Sequence, residues 1–436
     1  MRRASPRRIG ILAGGRSLPM ELAQSLRQRG ASVHIVAIEG EASEALSGPD
    51  TTWVNWGQIG KIISSFKNAG CRQVAIAGSV RRPDLSTIRP DLGFFRALPT
   101  VLRLLRIGGD DAILRGVIAY FETFGLEVVG VNQLAPELLV GAGRFAGPDD
   151  QDVDLDSVRI GFEVLRALAP FDVGQAVVVT DGSVEAIEGA EGTDRMLDRL
   201  IALRHERMRD RQDVGQGVLV KAPKPGQEMR VDMPAIGPET VRKIAGGDLS
   251  GIAVGAGRVL AVERSRLLEL ARAHRVSVVG VDSEQWDSQT GKDQPSASEF
   301  SIRHLGRCHP RDLDKADAVK GARVIEAMES FAGGRVAVVS ARHVLAVEAG
   351  EGVLQTLRRA ADLRQWGGGV FARRKGVAVV PAGRELDVEV IAAAAEAGLA
   401  GVGVVLHKFT ASVGSEVVAE ADRRKLFVIA LERERS

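Results

Sequence analysis

The chain has 436 residues, 45% of them hydrophobic, 26% charged and 4% aromatic, with a formal net charge of +2 and a pI near 8.6. That balance suits a soluble globular protein of two or three domains; it excludes an extended nucleic-acid surface, which needs a strong basic excess and stacking aromatics. No apolar run is long enough to cross a bilayer, and Cys71 and Cys308 have neither metal-ligand spacing nor the density of a disulfide framework, so a reducing cytoplasm is expected.

In chain order, residues 9–13 read as a buried parallel strand, Gly14, Gly15, Arg16 and Ser17 as a tight turn, residues 18–28 as an amphipathic helix with Pro19 in its first turn, and residues 32–38 as the next strand. This βαβ opening predicts a Rossmann-like parallel sheet. Gly14 and Gly15 let a ligand approach the helix N-terminus, where free amides favour phosphate. The turn lacks the full G-x-G-x-x-G of a nicotinamide site, which disfavours an oxidoreductase. Residues 60–69 read as a helix and 73–77 as a strand that ends in Gly78, Ser79, Val80, Arg81, Arg82 and Pro83. Gly78 and Arg82 thus stand where open α/β sheets bind ligands. Asp110 and Asp111 enter a helix whose Ile113, Val117, Ile118, Phe121 and Phe124 follow helical spacing; one aspartate serves as cap, and the other is spare for substrate or metal. Residues 127–131 form another strand.

The glycine-rich stretch 141–150 marks a boundary, giving an N-terminal domain 1–146 and a second α/β domain 147–283. The second domain reads as a helix at 153–168, strands at 175–180 and 183–188 around the hairpin signal Asp181-Gly182, and a helix opened by Thr193 and Asp194. A strand at 217–220 runs into Lys221-Ala-Pro-Lys-Pro, with Arg230 and Asp232 close behind. Pro223 and Pro225 stiffen this connection. Cations beside a carboxylate suit a diphosphate: Lys221, Lys224 and Arg230 take its charge, the Thr193 hydroxyl and helix amides make an anion site, and Asp232 holds Mg²⁺ or orients a water. Helices at 239–245 and 265–274, a hairpin-like 251–262 and a strand at 276–281 complete the domain.

Residues 284–312 show no periodicity and read as a linker. Beyond it the chain repeats itself: Glu188-Gly-Ala-Glu-Gly192 returns as Glu348-Ala-Gly-Glu-Gly352, and residues 249–281 align without a gap on 399–431. Residues 313–436 are therefore expected to be a degenerate second copy of domain 147–283. Its losses are selective: Val353-Leu354 replaces Thr193-Asp194, Arg373-Arg-Lys-Gly stands for the lysine–proline motif, and Asp232 falls near Ala382. A kept core pattern with removed polar residues marks those residues as chemical.

Residues 9–282 resemble the LpxI family, UDP-2,3-diacylglucosamine pyrophosphatases of lipid A biosynthesis. The resemblance rests on Ile11-Leu-Ala-Gly-Gly15 with Leu18-Pro19, Ala77-Gly78 with Arg82-Pro83, Gly109-Asp-Asp-Ala-Ile-Leu-Arg115, Asp172-Val-Gly-Gln-Ala-Val-Val-Val179, Glu191-Gly-Thr-Asp194, and Lys221-Ala-Pro-Lys-Pro225 with Arg230-Val-Asp232. It implies hydrolysis of the diphosphate of UDP-2,3-diacylglucosamine to UMP and 2,3-diacylglucosamine 1-phosphate, Mg²⁺ assistance, and an essential aspartate at Asp232. Arg16 departs from the family pattern, where a third small residue is expected, and residues 313–436 have no place in the usual two-domain chain. The acylated substrate implies a cytoplasmic protein held loosely at the anionic inner face of the inner membrane, with Arg2, Arg3, Arg7 and Arg8 each adding about 1 kcal/mol near such a surface. A homodimer and an intrachain pseudo-dimer both remain open, as does a non-catalytic UDP-sugar or nucleotide-binding module whose last domain recruits a partner.

Overall fold

The computed structural model describes residues 8–79, 89–97, 110–210, 215–282, 299–331, 333–363, 374–383, 386–406 and 413–433. Its strands are β1 (Arg8–Ala13), β2 (Ser32–Ile38), β3 (Thr51–Val54), β4 (Gln73–Ala77), β5 (Glu127–Val128), β6 (Gly143–Ala146), β7 (Ala176–Thr180), β8 (Ser183–Ile187), β9 (Gly217–Lys221), β10 (Ala235–Ile236), β11 (Gly251–Gly255), β12 (Leu260–Ala261), β13 (Ser277–Val281), β14 (Phe300–His304), β15 (Ala337–Ser340), β16 (His343–Val347), β17 (Val377–Pro381), β18 (Gly401–Leu406) and β19 (Phe427–Arg433). The chain forms two compact units, Met1–Ala142 with Gly226–Glu239 and Gly255–Leu270, and Gly143–Pro225 with Thr240–Val254 and Ala271–Ser436.

The first unit is built on a parallel sheet in the order β3-β2-β1-β4-β5. Alternate side chains enter different cores: Ile11, Ile35 and Ala75 pack with Leu22 and Leu26 of helix Leu18–Gln28, whereas Val36 and Val74 pack with Ile63 and Phe66 of helix Ile59–Asn68. Burial on both faces is why these strands read as apolar runs. The order reverses between β1 and β4, the switch point outside which open α/β sheets place their ligands. The segments 226–239 and 255–270, expected in the second domain, belong to this unit. β10 pairs in parallel with β12, Leu260 joins the core of helix Leu18–Gln28, and Met233, Ala235 and Val262 pack against it. Two-residue strands leave no periodic signal, which is why the sequence assigned them elsewhere.

The second unit holds two mixed sheets, β6-β13-β11-β9-β7-β8 and β14-β19-β18-β17-β15-β16, with corresponding strands in corresponding places. The Asp181-Gly182 turn joins β7 to β8 with φ of 47° and 75°, as the hairpin signal predicts. Gly161 on helix Leu155–Leu168 and Gly321 on helix Asp312–Met328 do the same work: a Cβ would fall 2.4 Å from Val220 Cγ2 in one case and 2.5 Å from Val379 Cγ2 in the other. Only a glycine lets each helix lie that close to its strand. β14 falls inside the stretch read as a linker; it pairs antiparallel with β19 as a largely exposed edge strand, and its short alternation of Phe300 and Ile302 with Ser301 and Arg303 stands alone in a polar stretch. The two layers share one core, in which Val158, Phe162, Val177 and Val179 meet Ala318, Ala322, Ile325 and Val339.

Strand register corrects one correspondence. Val177 faces Val220, and its counterpart Ala337 faces Val379, so Val380, the next residue, takes the place of Lys221 and Arg373 does not. The connection from β9 to helix Pro238–Gly246 spans residues 222–237, whereas that from β17 to helix Val388–Glu396 spans only 382–387. The excursion bearing Asp232 therefore has no counterpart in the second copy, at Ala382 or elsewhere.

Candidate functional site

The expected residues fall into two groups, one in each unit. In the first unit the turn after β1 and the turn after β4 are laced together: Gly14 N donates to Ala77 O at 2.8 Å, Gly15 N to Ser79 O at 2.7 Å, and Ser79 N to Gly15 O at 3.1 Å. Gly78 has φ of 93°, and a Cβ there would sit 2.5 Å from Gly15 O, so no other residue fits this crossing. Arg16 takes φ of 68°, the left-handed region that a glycine would favour, which is where the small residue of the family pattern is missing.

The excursion that carries Asp232 lies at the carboxyl edge of this sheet. The Arg230 backbone passes Gly130, just beyond β5, where a glycine Cβ would stand 3.2 Å from Arg230 Cα. Val231 packs into the core containing Phe66, and Met233 into the core containing Leu22, so the chain is pinned on both sides of Asp232. Gln227 Nε2 donates to Asp232 Oδ2 at 2.6 Å and to its carbonyl at 2.9 Å. Arg230 makes a forked pair with Glu228, both bonds at 2.8 Å, and reaches Glu122 at 3.3 Å. Its side-chain hydrogen bond to Glu228 raises the guanidinium pKa further and lowers that of Glu228. Arg230 thus enters any reaction already neutralised by a carboxylate. Asp110 and Asp111 open helix Asp110–Glu122; Arg82 lies outside the described residues.

In the second unit, β9 delivers Lys221 to the N-terminus of helix Thr193–Arg209, where Gly192 precedes the first turn with φ of 82°. Lys221 is 8% exposed, and its Nζ donates to Thr193 Oγ1 at 2.8 Å. Thr193 therefore does not cap its helix. It sits between Lys221 and Glu188, to which it is also hydrogen-bonded. Glu188 Oε2 accepts from Gln175 N at 3.0 Å. Burial pushes the Glu188 carboxyl above its ordinary value of 4.5, opposed chiefly by the charge of Lys221. A buried cation, a hydroxyl and helix amides together make an anion site. Lys224 lies further out: its Nζ contacts Asp172 Oδ1 at 2.5 Å and Asp172 O at 3.3 Å, and Asp172 holds φ of 61°.

The sequence singled out Lys221 and Thr193, and the structure brings them together. It missed Glu188 as their neighbour, although that glutamate recurs as Glu348 in the repeat. In the second copy Val353 and Val380 fill the places of Thr193 and Lys221, and Glu348 is held instead by the amides of Gly350 at 2.9 Å and Gly352 at 3.2 Å. The polar relay belongs to one copy alone. Because the raised Glu188 pKa means that the folded protein holds this proton more tightly than the unfolded chain does, its contribution to stability is full below about pH 4.5 and fades as pH rises through the folded value. Glu188→Gln cannot lose that proton. In melts taken from pH 4.5 upward, its melting temperature relative to the parent is expected to climb with pH; a constant difference would mean Glu188 titrates normally.

Among the described residues no three His, Cys, Asp or Glu side chains gather into a metal site. Asp232 offers one carboxylate, one oxygen of which already accepts from Gln227. Such a donor set does not make a resident protein cage, but it fits Mg²⁺ that arrives with a diphosphate and keeps several waters.

The family model of the LpxI N-terminal domain matches residues 8–138, and that of the LpxI C-terminal domain matches residues 141–279 and again 303–429. The chain is also similar to the UDP-2,3-diacylglucosamine pyrophosphatase LpxI of Caulobacter vibrioides, 37% identical over 279 residues that make up 64% of this chain and 99% of the relative.

Proposed function

The chain belongs to the LpxI family, and from that premise we propose that it hydrolyses the diphosphate of UDP-2,3-diacylglucosamine to UMP and 2,3-diacylglucosamine 1-phosphate, a step of lipid A biosynthesis. The observation that carries the reading is the hydrogen bond from buried Lys221 to Thr193 at a helix N-terminus, present in the first copy and replaced by valines in the second. Hydrolysis forms a bond from water oxygen to phosphorus and breaks a bridging P–O bond, while charge builds on the phosphate oxygens. Lys221, the Thr193 hydroxyl and the adjoining amides stabilise that charge from fixed positions, without reorganising. Lys224 adds a second, more solvated cation. Asp232 is the carboxylate that would hold Mg²⁺ or orient the water; bound Mg²⁺ would supply further neutralisation of the diphosphate. The glycine turns after β1 and β4 offer backbone to the substrate's polar end.

Purified protein incubated with UDP-2,3-diacylglucosamine and Mg²⁺ tests the proposal. Release of UMP supports it; tight binding without turnover favours the nucleotide-binding module.

For the acyl chains we propose loose contact with an anionic membrane surface. Among the described residues no helix is long and apolar enough to cross a membrane. Arg8 is unsuited to the electrostatic role expected of it, since it lies in β1 with its guanidinium paired to Asp50. Arg2, Arg3 and Arg7 lie outside the described residues. Retention on anionic vesicles is expected to fall between low and high salt; retention that only detergent reverses would contradict it.

A further inference from the structure

The two copies meet through a reciprocal set of buried charges. Arg199 pairs with Glu191 of its own copy at 3.2 Å and with Glu351 of the other; Arg359 pairs with Glu351 of its own copy at 2.5 Å and with Glu191 of the other at 2.7 Å. Each arginine also reaches a carbonyl at the end of its own strand, Ile187 O at 3.3 Å and Val347 O at 3.1 Å. Residue i meeting j while the equivalent of j meets the equivalent of i is the signature of an isologous contact, here closed within one chain.

The two turns at this contact, residues 188–192 and 348–352, are held in different ways. In the second copy the turn is held from within: Glu348 Oε1 accepts from Gly350 N at 2.9 Å and Gly352 N at 3.2 Å, and Thr356 Oγ1 donates to Glu351 Oε1 at 2.7 Å. Neither hold is made in the first copy. Glu188 is hydrogen-bonded to Thr193, so the glutamate that serves the site no longer serves the turn. Met196 stands in the place of Thr356, and Glu191 Oε2 is buried without a hydrogen-bond partner. Support comes instead from across the contact. Ala190 N, the counterpart of Gly350 N, donates to Leu345 O at 3.1 Å, and Arg359 reaches Glu191 Oε1. Gly189 lies against the same carbonyl: a Cβ there would fall 2.5 Å from Leu345 O and 3.3 Å from Arg359 Nη1, whereas its counterpart in the second copy is Ala349. The turn that leads into Thr193 is thus gripped by backbone and by one arginine of the other copy.

We propose that Arg359, in the copy that lacks the lysine and threonine, is a positioning residue for the first copy's site, holding Glu191 and with it the turn from which Thr193 meets Lys221. This deepens the hydrolase reading and rests on it for the kinetic arm of the test. The site of the first copy is complete only with a side chain from the second.

Removing one charge of a buried set strands its partners, so the main variant of the full chain is charge-balanced: Arg359→Gln with Glu351→Gln removes both ion pairs that cross the contact and leaves Arg199 paired with Glu191. Gly189→Ala, which sets a methyl against Leu345 O, loosens the same turn without touching a charge, and Arg359→Lys keeps the cation. Kinetics, melting and amide hydrogen exchange are measured on all of them and on the parent. The double variant is expected to lower kcat about tenfold with little change in KM, the scale of a coupled neighbouring pair, and Arg359→Lys to recover most of it. Amides of residues 189–193 are expected to exchange about tenfold faster in the double variant and in Gly189→Ala, while those of 349–353, held by Glu348, keep their protection. Parental exchange at 189–193 in the folded double variant, or in Gly189→Ala should the double variant not fold, overturns the proposal. So does equal acceleration at 349–353, which would make the contact merely structural, or a folded double variant with parental kcat. Absence of turnover in the parent itself counts against the hydrolase reading alone, because the exchange result still decides whether Arg359 holds the turn.

Discussion

Asp232→Ala is expected to lower turnover on the order of a hundredfold or more while leaving the melting temperature close to that of the parent. The side chain does little to hold its own segment in place. Val231 and Met233 pin the excursion into two separate cores, and Asp232 contributes the contact with Gln227. Losing one partly exposed hydrogen bond costs about 1 kcal/mol. The kinetic loss is larger because no other carboxylate of the excursion is spare: Glu228 is committed to Arg230 by two bonds. Asp232→Asn preserves an acceptor for Gln227 and removes only the charge, so it separates the two effects. Both variants are to be followed by UMP release and by melting, and a folded Asn variant with parental kcat would remove Asp232 from the mechanism.

The parts of this fold that the sequence disclosed are those buried on both sides. β2, β4 and helix Leu18–Gln28 have the residue limits expected of them, because a parallel strand between two helical layers is an uninterrupted apolar run. Half-exposed edge strands carry no such signal, and β3 and β14 went unread for that reason. The excursion 226–239 was misassigned by a different route. Its neighbours in sequence belong to the second unit, and only a few short apolar contacts tie it to the first. At the candidate site, the loss of Thr193 in the repeat was legible because Gly192 and Gly352 fix both helix starts. The loss of Lys221 was legible too, but its replacement was misplaced. Arg373-Arg-Lys matches the motif in charge, whereas the true register is set by the apolar alternation of β17 against β15, in which Val380 holds the position. In sequence, Lys224 and Arg230 read as cations for the charge of a diphosphate. In the structure each has a carboxylate partner, one of them across a gap of 52 residues, a distance at which no spacing rule operates.

Lys221→Val combined with Thr193→Val installs in the first copy the residues that the second copy already uses, and is expected to give a folded protein that has lost its hydrolase activity. The second copy shows that the strand, the glycine turn and the helix start all accept valine at these two places, with Val353 and Val380 buried and the neighbouring glutamate satisfied by amides. In the first copy Glu188 keeps its bond from Gln175 N, and losing its cationic neighbour removes the chief influence that opposes the upward push of burial on its carboxyl pKa. Folding therefore survives, with a melting temperature shifted by a few degrees. Transition-state stabilisation does not survive, because a preorganised donor aimed at developing phosphate charge contributes about 2 to 4 kcal/mol, and the double variant removes a cation and a hydroxyl from the same anion site. Since the two groups act through one hydrogen bond, Lys221→Val alone is expected to account for most of the loss, and adding Thr193→Val to cost less than it does in the parent. Folded variants that release UMP at the parental rate would make Lys221 a structural lysine, and the chemistry would then have to rest on the Asp232 excursion alone.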